Sequence, residues 1–405
     1  MPTVAPLDLD GHVVATAFLG DVPFFASASG TVHRLDHGQK ATEAHDGLLA
    51  CVRDEANDTL ITGGEDGKVQ RIAADGTATV LAEVPRKWIS VVAAGPQGAI
   101  GFAEGRTARV RLADGTIKEF SESRSVEGMA FAPKGLRIGI ARYNGVSLHW
   151  VAMAAQPVEL EWKGAHNGIT FSPDGRFVVT TMQENALHGW KLDPKAGADT
   201  RHMRMTGYPA KVKSFSWSAK GKWLASSGAP AAIVWPFSAK DGPMGKPPLE
   251  LGTRADVMVT CVSCHPAEDV AAIGYSDGMV LAARFADSRE VLLRRPGKGA
   301  ITSMGWNRNG KLLAFAGETG DCGVIDLAGC AGILVDRDPD LAVRAGQRTR
   351  EQPRCAALDV EKADLAEIEQ FFVEARPDIH ATAVNIMGEV IDVEQAGAGG
   401  AQMVA

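Results

Sequence analysis

The sequence has no run of about 18 apolar residues that could cross a bilayer. Its first ten residues, Met1–Asp10, have neither a basic segment nor the apolar stretch of a signal peptide. These absences argue against a membrane span and against secretion. We therefore expect a cytoplasmic protein with no membrane partner.

An excess of positive charge is also missing. The chain has 42 Lys and Arg against 49 Asp and Glu, a formal net charge of −7. Residues 1–330 contain 35 of each sign, whereas residues 331–405 contain 14 acidic and 7 basic residues. Nucleic-acid binding through the phosphate backbone needs a basic stripe. No nucleic-acid partner is expected.

Cysteine is too sparse and too scattered for a disulfide framework. The six cysteines stand at positions 51, 261, 264, 322, 330 and 355, and such frameworks belong to short secreted chains. This usage is consistent with a reducing compartment.

Glycine, by contrast, is abundant at 45 copies, and the stretch from Gly164 to Leu192 shows why. Two β-rich runs, Ile169–Phe171 and Phe177–Thr181, flank Ser-Pro-Asp-Gly at 172–175. Proline presets φ, Asp bonds its own backbone and Gly accepts positive φ, so a tight turn is predicted there. A third run, Ala186–Leu192, carries Trp190 near its end. The pattern predicts a three-strand meander with an open edge.

This unit recurs along the chain, and a fixed period is the signature of a repeat architecture. Third strands begin at spacings of 37, 39, 39, 40, 45, 48 and 42 residues, at Thr31, Lys68, Thr107, Val146, Ala186, Ala231, Met279 and Asp321. First strands precede them at Val13–Phe18, Leu48–Val52, Trp88–Ala93, Val126–Phe131, Ile169–Phe171, Val212–Trp217, Val259–Cys264 and Ile301–Trp306. Turn signals such as Asn144-Gly145 and Asp66-Gly67 fill the matching positions.

The unit resembles a WD40 repeat, with His166 near the start, the Ser-Pro-Asp-Gly turn in the middle and Trp190 on the third strand. Lys191 stands where the family has Asp, so the chain resembles a divergent, bacterial-type WD40 protein. The resemblance implies an all-β propeller over residues 1–330, in which an N-terminal strand, Pro6–Leu9, completes the last blade. Eight strand triplets favour eight blades, with seven as the alternative. Closing the ring would leave no unpaired edge.

The same register predicts the core. Phe131, Phe171, Trp217 and Trp306 share a position at the end of the first strand, and Trp150, Trp190 and Trp235 share one on the third. We expect both sets to pack between blades. The His position of the family is filled in three units, by His12, His45 and His166, and tight-turn Asp residues stand at 66 and 277.

Residues 331–405 fall outside the repeats and are predicted to form a separate acidic tail. Residues 336–353 read as a linker, residues 362–375 have the apolar spacing of one helical face, and residues 379–393 look strand-like. The last ten residues are small and are predicted to be flexible.

One short segment suggests a metal. Cys261, Cys264 and His265 are zinc-type ligands, and a zinc-homeostasis accessory protein is one alternative function. The register argues against it, because Cys264 stands in the core position of Trp217 and Trp306. Residues three apart on a strand also point to opposite faces. We favour buried structural cysteines and expect no bound metal or cofactor.

No pattern of catalytic residues stands out in the sequence. It lacks an H-E-x-x-H motif, a Ser/His/Asp order and an evident carboxylate pair. A propeller enzyme remains an alternative, but we predict no catalytic residues.

The remaining candidates are loops. Those that lead into first strands and those that join second to third strands should emerge on one face. They carry Trp, Tyr and Arg, the residue types enriched in interface hot spots, and the candidates for partner binding are Arg86, Lys87, Trp88, Arg106, Arg124, Tyr143, Tyr208 and Arg254. By resemblance, the predicted function is a non-catalytic, monomeric scaffold that presents these loops to a partner protein of unknown identity.

Overall fold

The computed structural model describes residues 3–9, 11–192, 201–327, 356–358, 383–384 and 390–391. Nearly all of its regular structure is β-strand. The helix among these residues is one 3₁₀ turn, Pro96–Gly98.

The strands form antiparallel meanders, here called blades, each with four strands from the inside of the ring outwards. Blade 1 contains β2 (Val13–Leu19), β3 (Val22–Ser27), β4 (Thr31–Leu35) and β5 (Gln39–Glu43). Blade 2 contains β6 (Leu48–Asp54), β7 (Thr59–Gly64), β8 (Lys68–Ile72) and β9 (Ala78–Glu83). Blade 3 contains β10 (Val91–Ala94), β11 (Ile100–Glu104), β12 (Thr107–Arg111) and β13 (Ile117–Ser121).

Blades 4 and 5 share a long strand. Blade 4 contains β14 (Val126–Phe131), both halves of β15 (Arg137–Trp150) and the first half of β16 (Val158–Phe171). Blade 5 contains the second half of β16, then β17 (Phe177–Met182), β18 (Leu187–Lys191) and β19 (Arg201–Thr206). β15 pairs with β14 through 138–142 and with β16 through 145–148, so it folds back at Asn144 and Gly145. Both residues have positive φ, as a tight hairpin turn of this type requires.

The last three blades are regular. Blade 6 contains β20 (Phe215–Trp217), β21 (Trp223–Ser226), β22 (Ala232–Pro236) and β23 (Leu249–Leu251). Blade 7 contains β24 (Val259–Cys264), β25 (Val270–Tyr275), β26 (Val280–Arg284) and β27 (Glu290–Arg294). Blade 8 contains β28 (Ile301–Trp306), β29 (Leu312–Gly317), β30 (Asp321–Asp326) and the N-terminal strand β1 (Thr3–Asp8).

The number of blades depends on whether meanders or sheets are counted. The described residues contain eight four-strand meanders, as the repeat spacing suggests. Because β16 runs through blades 4 and 5, hydrogen bonding groups these meanders into six four-stranded sheets and one seven-stranded sheet. The sequence favours eight blades, with seven as the alternative. Eight is the number of repeats in the described structure, and seven is the number of sheets with four or more strands.

The ring is closed by the N-terminal strand, as predicted. β1 runs antiparallel to β30, with Thr3 opposite Asp326 and Asp8 opposite Asp321. At the inner edge, the Thr16 amide donates to Ser303 Oγ at 2.9 Å, and Thr302 Oγ1 donates to the Val13 carbonyl, also at 2.9 Å. Blade 8 is thus joined to blade 1 both through the donated strand and through inner-strand hydroxyl groups.

The tight turn predicted at 172–175 is present. The Gly175 amide donates to the Ser172 carbonyl at 2.8 Å, and Asp174 Oδ1 accepts from Ser172 Oγ at 2.7 Å and from the Arg176 amide at 3.0 Å. Gly175 has φ of 76°, the left-handed conformation that only glycine adopts without strain.

The core lies between neighbouring blades, and most of the predicted aromatic positions are in it. Trp190, Trp235, Phe171 and Trp306 are buried. Trp150 is the exception, because 37% of it is exposed and the Arg137 guanidinium lies over its ring at 5.3 Å. Its prediction as a core residue was wrong, since it stands at the end of β15, at the rim of blade 4.

The chain divides into two compact units, Met1–Glu361 and Lys362–Ala405. The first unit extends past the predicted boundary at residue 330 and includes β31 (Ala356–Leu358), which pairs antiparallel with Arg204–Thr206 of β19 as an added outer strand of blade 5. In the second unit, β32 (Ala383–Val384) pairs with β33 (Val390–Ile391), within the segment predicted to be strand-like. The predicted helix over 362–375 lies outside the described residues.

Candidate functional site

The face that carries the turns between second and third strands is called the upper face. On it, the loop that leads into each blade lies against the second-to-third turn of the blade before. The Ile89 amide donates to the Gly64 carbonyl at 3.0 Å, and the Glu122 amide donates to the Arg106 carbonyl at 2.9 Å. Loops of blades 2, 3 and 4 are therefore in direct contact along this face.

Six of the eight predicted partner-binding residues are exposed on these neighbouring loops. Trp88 is 63% exposed and Tyr143 is 44% exposed, high values for large aromatic side chains. We call this set the Trp88 cluster; it consists of Arg86, Lys87, Trp88, Arg106, Arg124 and Tyr143. The arrangement is contiguous, because Trp88 lies just before β10, Arg106 lies in the next turn of the same blade, and Val126, close to Arg124, pairs with Arg142, the neighbour of Tyr143.

The other two predicted residues do not belong to the cluster. Arg254 is half-buried and donates to Glu290 Oε2 at 2.7 Å, so its charge is already paired. Tyr208 is only 4% exposed, and its prediction as a surface contact was wrong.

Tyr208 instead replaces histidine in the polar network of blade 6. Its hydroxyl accepts from Trp235 Nε1 at 2.6 Å and lies 2.6 Å from Ser226 Oγ, which donates to the Ile233 carbonyl at 3.0 Å. The sequence does hold a signal for this role, because Tyr208 stands at the His position of its repeat. A phenol can accept the same hydrogen bonds as an imidazole.

Blade 2 has the histidine network that the family resemblance implies. His45 lies 3.0 Å from Asp66 Oδ1 through Nδ1 and 2.8 Å from Thr62 Oγ1 through Nε2. These bonds hold the Asp66 turn against the loop before β6. Buried polar side chains, fully bonded in this way, fix the loops of the upper face.

A buried carboxylate that the sequence analysis did not single out holds the loop that carries Arg124. Glu122 accepts from Ser147 Oγ at 2.6 Å, from His149 Nε2 at 2.9 Å and from Arg142 Nε at 2.9 Å. Burial alone would raise its pKa, but the hydrogen bonds from His149, Ser147 and Arg142 outweigh burial and lower it. Glu122 is therefore a charged anchor in the loop between blades 3 and 4, two residues before Arg124.

Blade 5 contains a compact aromatic and histidine cluster. His188 Nδ1 lies 2.8 Å from His202 Nε2, and the Trp162 ring stacks on His202 at 4.1 Å between centroids. Burial and mutual repulsion lower the pKa of His188, and burial, together with the charges of His166 and Arg204, lowers that of His202. Both rings are therefore neutral packing elements at physiological pH.

The segment with Cys261, Cys264 and His265 does not form a metal centre. Cys261 packs with Trp306 toward blade 8, whereas Cys264 packs against blade 6 and lies 3.3 Å from the Ser216 carbonyl. Burial raises the pKa of the Cys261 thiol to about 11 and that of Cys264 to about 12. The two thiols pack in different apolar clusters, as expected for residues three apart on one strand, and Ser214 Oγ of blade 6 lies 3.8 Å from the Cys261 thiol.

Both imidazole nitrogens of His265 also have hydrogen-bond partners within the protein. Its Nδ1 accepts from the Glu268 amide at 3.0 Å, and Nε2 lies 3.2 Å from the Gly310 carbonyl. In the described part of the chain, no three His, Cys, Asp or Glu side chains converge as metal ligands would.

The opposite end of the ring has a cavity of about 890 Å³ formed by first-to-second turns. The ionisable side chains that line it are Arg53, Glu55, Asp58, Cys264 and Arg308. Arg53 and Asp58 pair with each other at 2.8 Å, and Asp58 also accepts from the Gly20 amide at 2.8 Å. Burial raises the pKa of the Cys264 thiol, so this side chain stays protonated.

Within the described ranges, no helix is long and apolar enough to span a membrane.

Comparisons with known proteins agree on the fold. Residues 255–332 match the sequence family described as "Anaphase-promoting complex subunit 4 WD40 domain". No curated protein matches the chain.

Solved structures match over most of the chain at low sequence identity. The C-terminal WD40 domain of Sif2 is 13% identical, with 80% of this chain and 99% of that chain covered and a TM-score of 0.62. The Dos1 propeller is 16% identical, with 80% and 95% covered and a TM-score of 0.63. The computationally designed Ika8 protein is also 16% identical, with 79% and 97% covered and a TM-score of 0.57. Residues 1–327 thus have the fold of a WD40 propeller.

Proposed function

We propose that this protein is a non-catalytic interaction platform that binds a partner protein through the Trp88 cluster. WD40 propellers commonly serve as protein-interaction scaffolds, and the solved structures similar to this chain include one from the Mitotic Checkpoint Complex. We propose that the loops on the upper face of this chain determine which partner it binds.

One observation carries the proposal: a tryptophan that is 63% exposed on a fixed loop. A monomeric protein does not gain stability from leaving an indole in water, because burying it would release about 2–3 kcal/mol or more. The exposed ring stands beside Arg86 and Lys87, and Tyr143 projects from the same face. Trp, Tyr and Arg are the residues that most often dominate binding free energy at interfaces.

The rigidity of the loops supports the same function. The Lys87 amide donates to the Val84 carbonyl at 3.3 Å, and Val84 donates to the Gly67 carbonyl at 2.9 Å. Arg86 has φ of 62°, a conformation that a non-glycine residue holds only when its surroundings impose it. A loop fixed before binding loses little conformational entropy on binding, which favours affinity.

The test is affinity capture with the full chain as bait in an extract of the source organism, read by mass spectrometry. We expect the double variant Trp88→Ala, Arg86→Ala to lose at least about tenfold of the partner captured by the unaltered chain. Both side chains are exposed, so the melting temperature should not change.

A matched control is Ile117→Ala, Lys118→Ala, an exposed apolar and cationic pair on the outer strand of blade 3. This variant should capture the same partner as the unaltered chain. Equal capture by all three proteins would show that the cluster is not the binding surface.

A further inference from the structure

We infer that the segment docked on the Trp88 cluster is an acidic stretch of polypeptide with an apolar side chain next to its carboxylates. This inference rests on the proposed function, and it names the chemistry of the partner.

The four loops of the cluster carry four exposed cations whose side chains have no partner in the described part of the chain. The loops span residues 84–90, 104–107, 122–126 and 142–145, and Arg86, Lys87, Arg106 and Arg124 have no hydrogen-bond or ion-pair acceptor for their side chains among the described residues. The carboxylates on these loops are already used inside the protein. Glu104 accepts from Arg109 at 2.5 Å, and Glu122 is bound by the three donors described above.

The rest of the upper face has a different charge pattern. Exposed Lys163, Lys213 and Lys298 are interspersed with exposed carboxylates, namely Glu184, Asp256 and Glu318. Arg254 there is paired with Glu290. Beside Trp88, four unpaired cations stand against three exposed carboxylates, Glu65, Glu83 and Glu127. A partner's carboxylates would complete ion pairs that the chain itself does not supply.

The aromatic residues define the second requirement. Trp88 and Tyr143 offer apolar faces next to these cations, so a side chain such as leucine can cover an indole while neighbouring carboxylates reach the guanidinium groups. A purely acidic segment would leave the Trp88 ring uncovered.

The surroundings favour polypeptide over nucleic acid. Exposed carboxylates of Glu83 and Glu127 flank the cluster, and residues 1–330 contain equal numbers of acidic and basic residues. A continuous phosphate chain would run past these carboxylates, whereas a short acidic segment can place its charges on the cations alone.

The test uses the purified full chain and a fluorescein-labelled peptide that repeats Glu-Ser-Leu, read by anisotropy. We expect this peptide to bind, and to bind more weakly as salt is raised from about 0.05 M to about 0.5 M, because screening shortens the range of exposed charges. The counterpart that repeats Gln-Ser-Leu should bind at least about tenfold more weakly.

Charge reversal localises the site. Arg106→Glu, Arg124→Glu should weaken binding of the acidic peptide at least about tenfold. Lys213→Glu, Lys298→Glu, a matched reversal of two exposed lysines elsewhere on the same face, should leave it unchanged. All four side chains are exposed, and circular dichroism should show the same folded spectrum for each variant.

Three results would overturn the inference. They are equal affinity for the Glu and Gln peptides, no effect of the Arg106 and Arg124 reversals, and tighter binding of an oligothymidylate through the same two arginines. Suppose that the acidic peptide fails to bind while Trp88→Ala, Arg86→Ala still loses its captured partner. That result would reject the inference of an acidic partner segment and leave the proposed function in place. If the peptide binds but that double variant captures its partner normally, the proposed function is wrong.

Discussion

Replacing Glu122 with alanine is expected to lower the free energy of unfolding by about 3–5 kcal/mol. The side chain is only 5% exposed and accepts hydrogen bonds from Ser147, His149 and Arg142. Without it, a buried hydroxyl and a largely buried imidazole lose their acceptor, and Arg142 keeps its pairing with Glu159 and its bond to the Tyr143 carbonyl. Urea denaturation at pH 7 measures the loss.

The matched control is Glu161→Ala, which removes an exposed glutamate of the neighbouring strand β16. Exposed surface substitutions change stability by no more than about 0.5 kcal/mol. If Glu122→Ala were as mild as Glu161→Ala, the three-donor network would not be holding blades 3 and 4 together.

The second large effect is acid lability caused by the histidine pair of blade 5. The pKa values of His188 and His202 are lowered from 6.5, chiefly by burial, so the unfolded chain binds protons that the folded chain excludes. Their stabilising contribution is therefore complete above pH 6.5 and is lost as pH falls below it. The loss approaches about 1.4 kcal/mol per pH unit for each histidine.

Other charged groups near this pair are His166, Arg204 and Glu184. Burial lowers the pKa of His166 and of Arg204, and the charge of Glu184 partly opposes it in both. After burial, the charges of His166 and Arg204 lower the pKa of His202. The test therefore compares how steeply the free energy of unfolding changes with pH in two proteins that both keep these neighbours.

The comparison protein is His188→Leu, His202→Phe, which replaces both hydrogen-bond partners and keeps an aromatic ring against Trp162. Unfolding free energies measured from pH 7.5 to 5.5 should fall less steeply in this variant, by about one proton's worth of slope on average over this range and approaching two at pH 5.5. Identical slopes would mean that neither histidine is excluded from protonation in the folded state.

Much of the fold could be predicted from the sequence because its signals are local and repeated. The turn at 172–175 and the hairpin at Asn144 and Gly145 each follow from residues within a few positions of one another. The period then places them in register. The closing strand near Pro6 was instead implied by the WD40 resemblance, because its partner strand lies at the other end of the repeats. The continuous sheet through β16 was not predicted, since its second half was read as a separate first strand.

The wrong and missing predictions have a common cause. The role of a side chain depends on contacts with residues that are far away in the sequence. In the sequence, Tyr208 looks like an exposed loop residue, because its hydrogen bonds with Trp235 and Ser226 are seen only in the structure. In the sequence, Glu122 looks like an ordinary acidic loop residue, because its contacts with Ser147 and His149 of another strand are seen only in the structure. Those two residues stand two apart, on one face of β15, and that spacing was the available signal.

The exposure of loop residues was easier to predict because it depends on loop position and residue type. Six of the eight residues predicted to bind a partner are exposed, whereas Tyr208 and Arg254 are bonded within the protein. Loop position alone does not reveal such bonding, so exposure had to come from the structure. That the six bind a partner stays a prediction.

The central claim is that the N-terminal strand seals the ring, and one cross-link tests it directly. Leu7 lies opposite Cys322 in the β1–β30 ladder, and both side chains belong to the same apolar cluster. Residues directly opposite in an antiparallel pair have Cα atoms about 4.5 or 5.5 Å apart, within the Cα separation of about 4.4–6.8 Å that a disulfide spans. Pro6, opposite Gly323, points to the other face and provides the control Pro6→Cys.

The measurement is peptide mapping by mass spectrometry after oxidation of Leu7→Cys with diamide. Burial raises the pKa of Cys322 to about 12, so oxidation should be slow and should be followed over hours. The account predicts a disulfide between positions 7 and 322 in Leu7→Cys and none to Cys322 in Pro6→Cys. A cysteine at position 7 that stays free, or pairs with another cysteine, would show that the ring is not closed by its first strand.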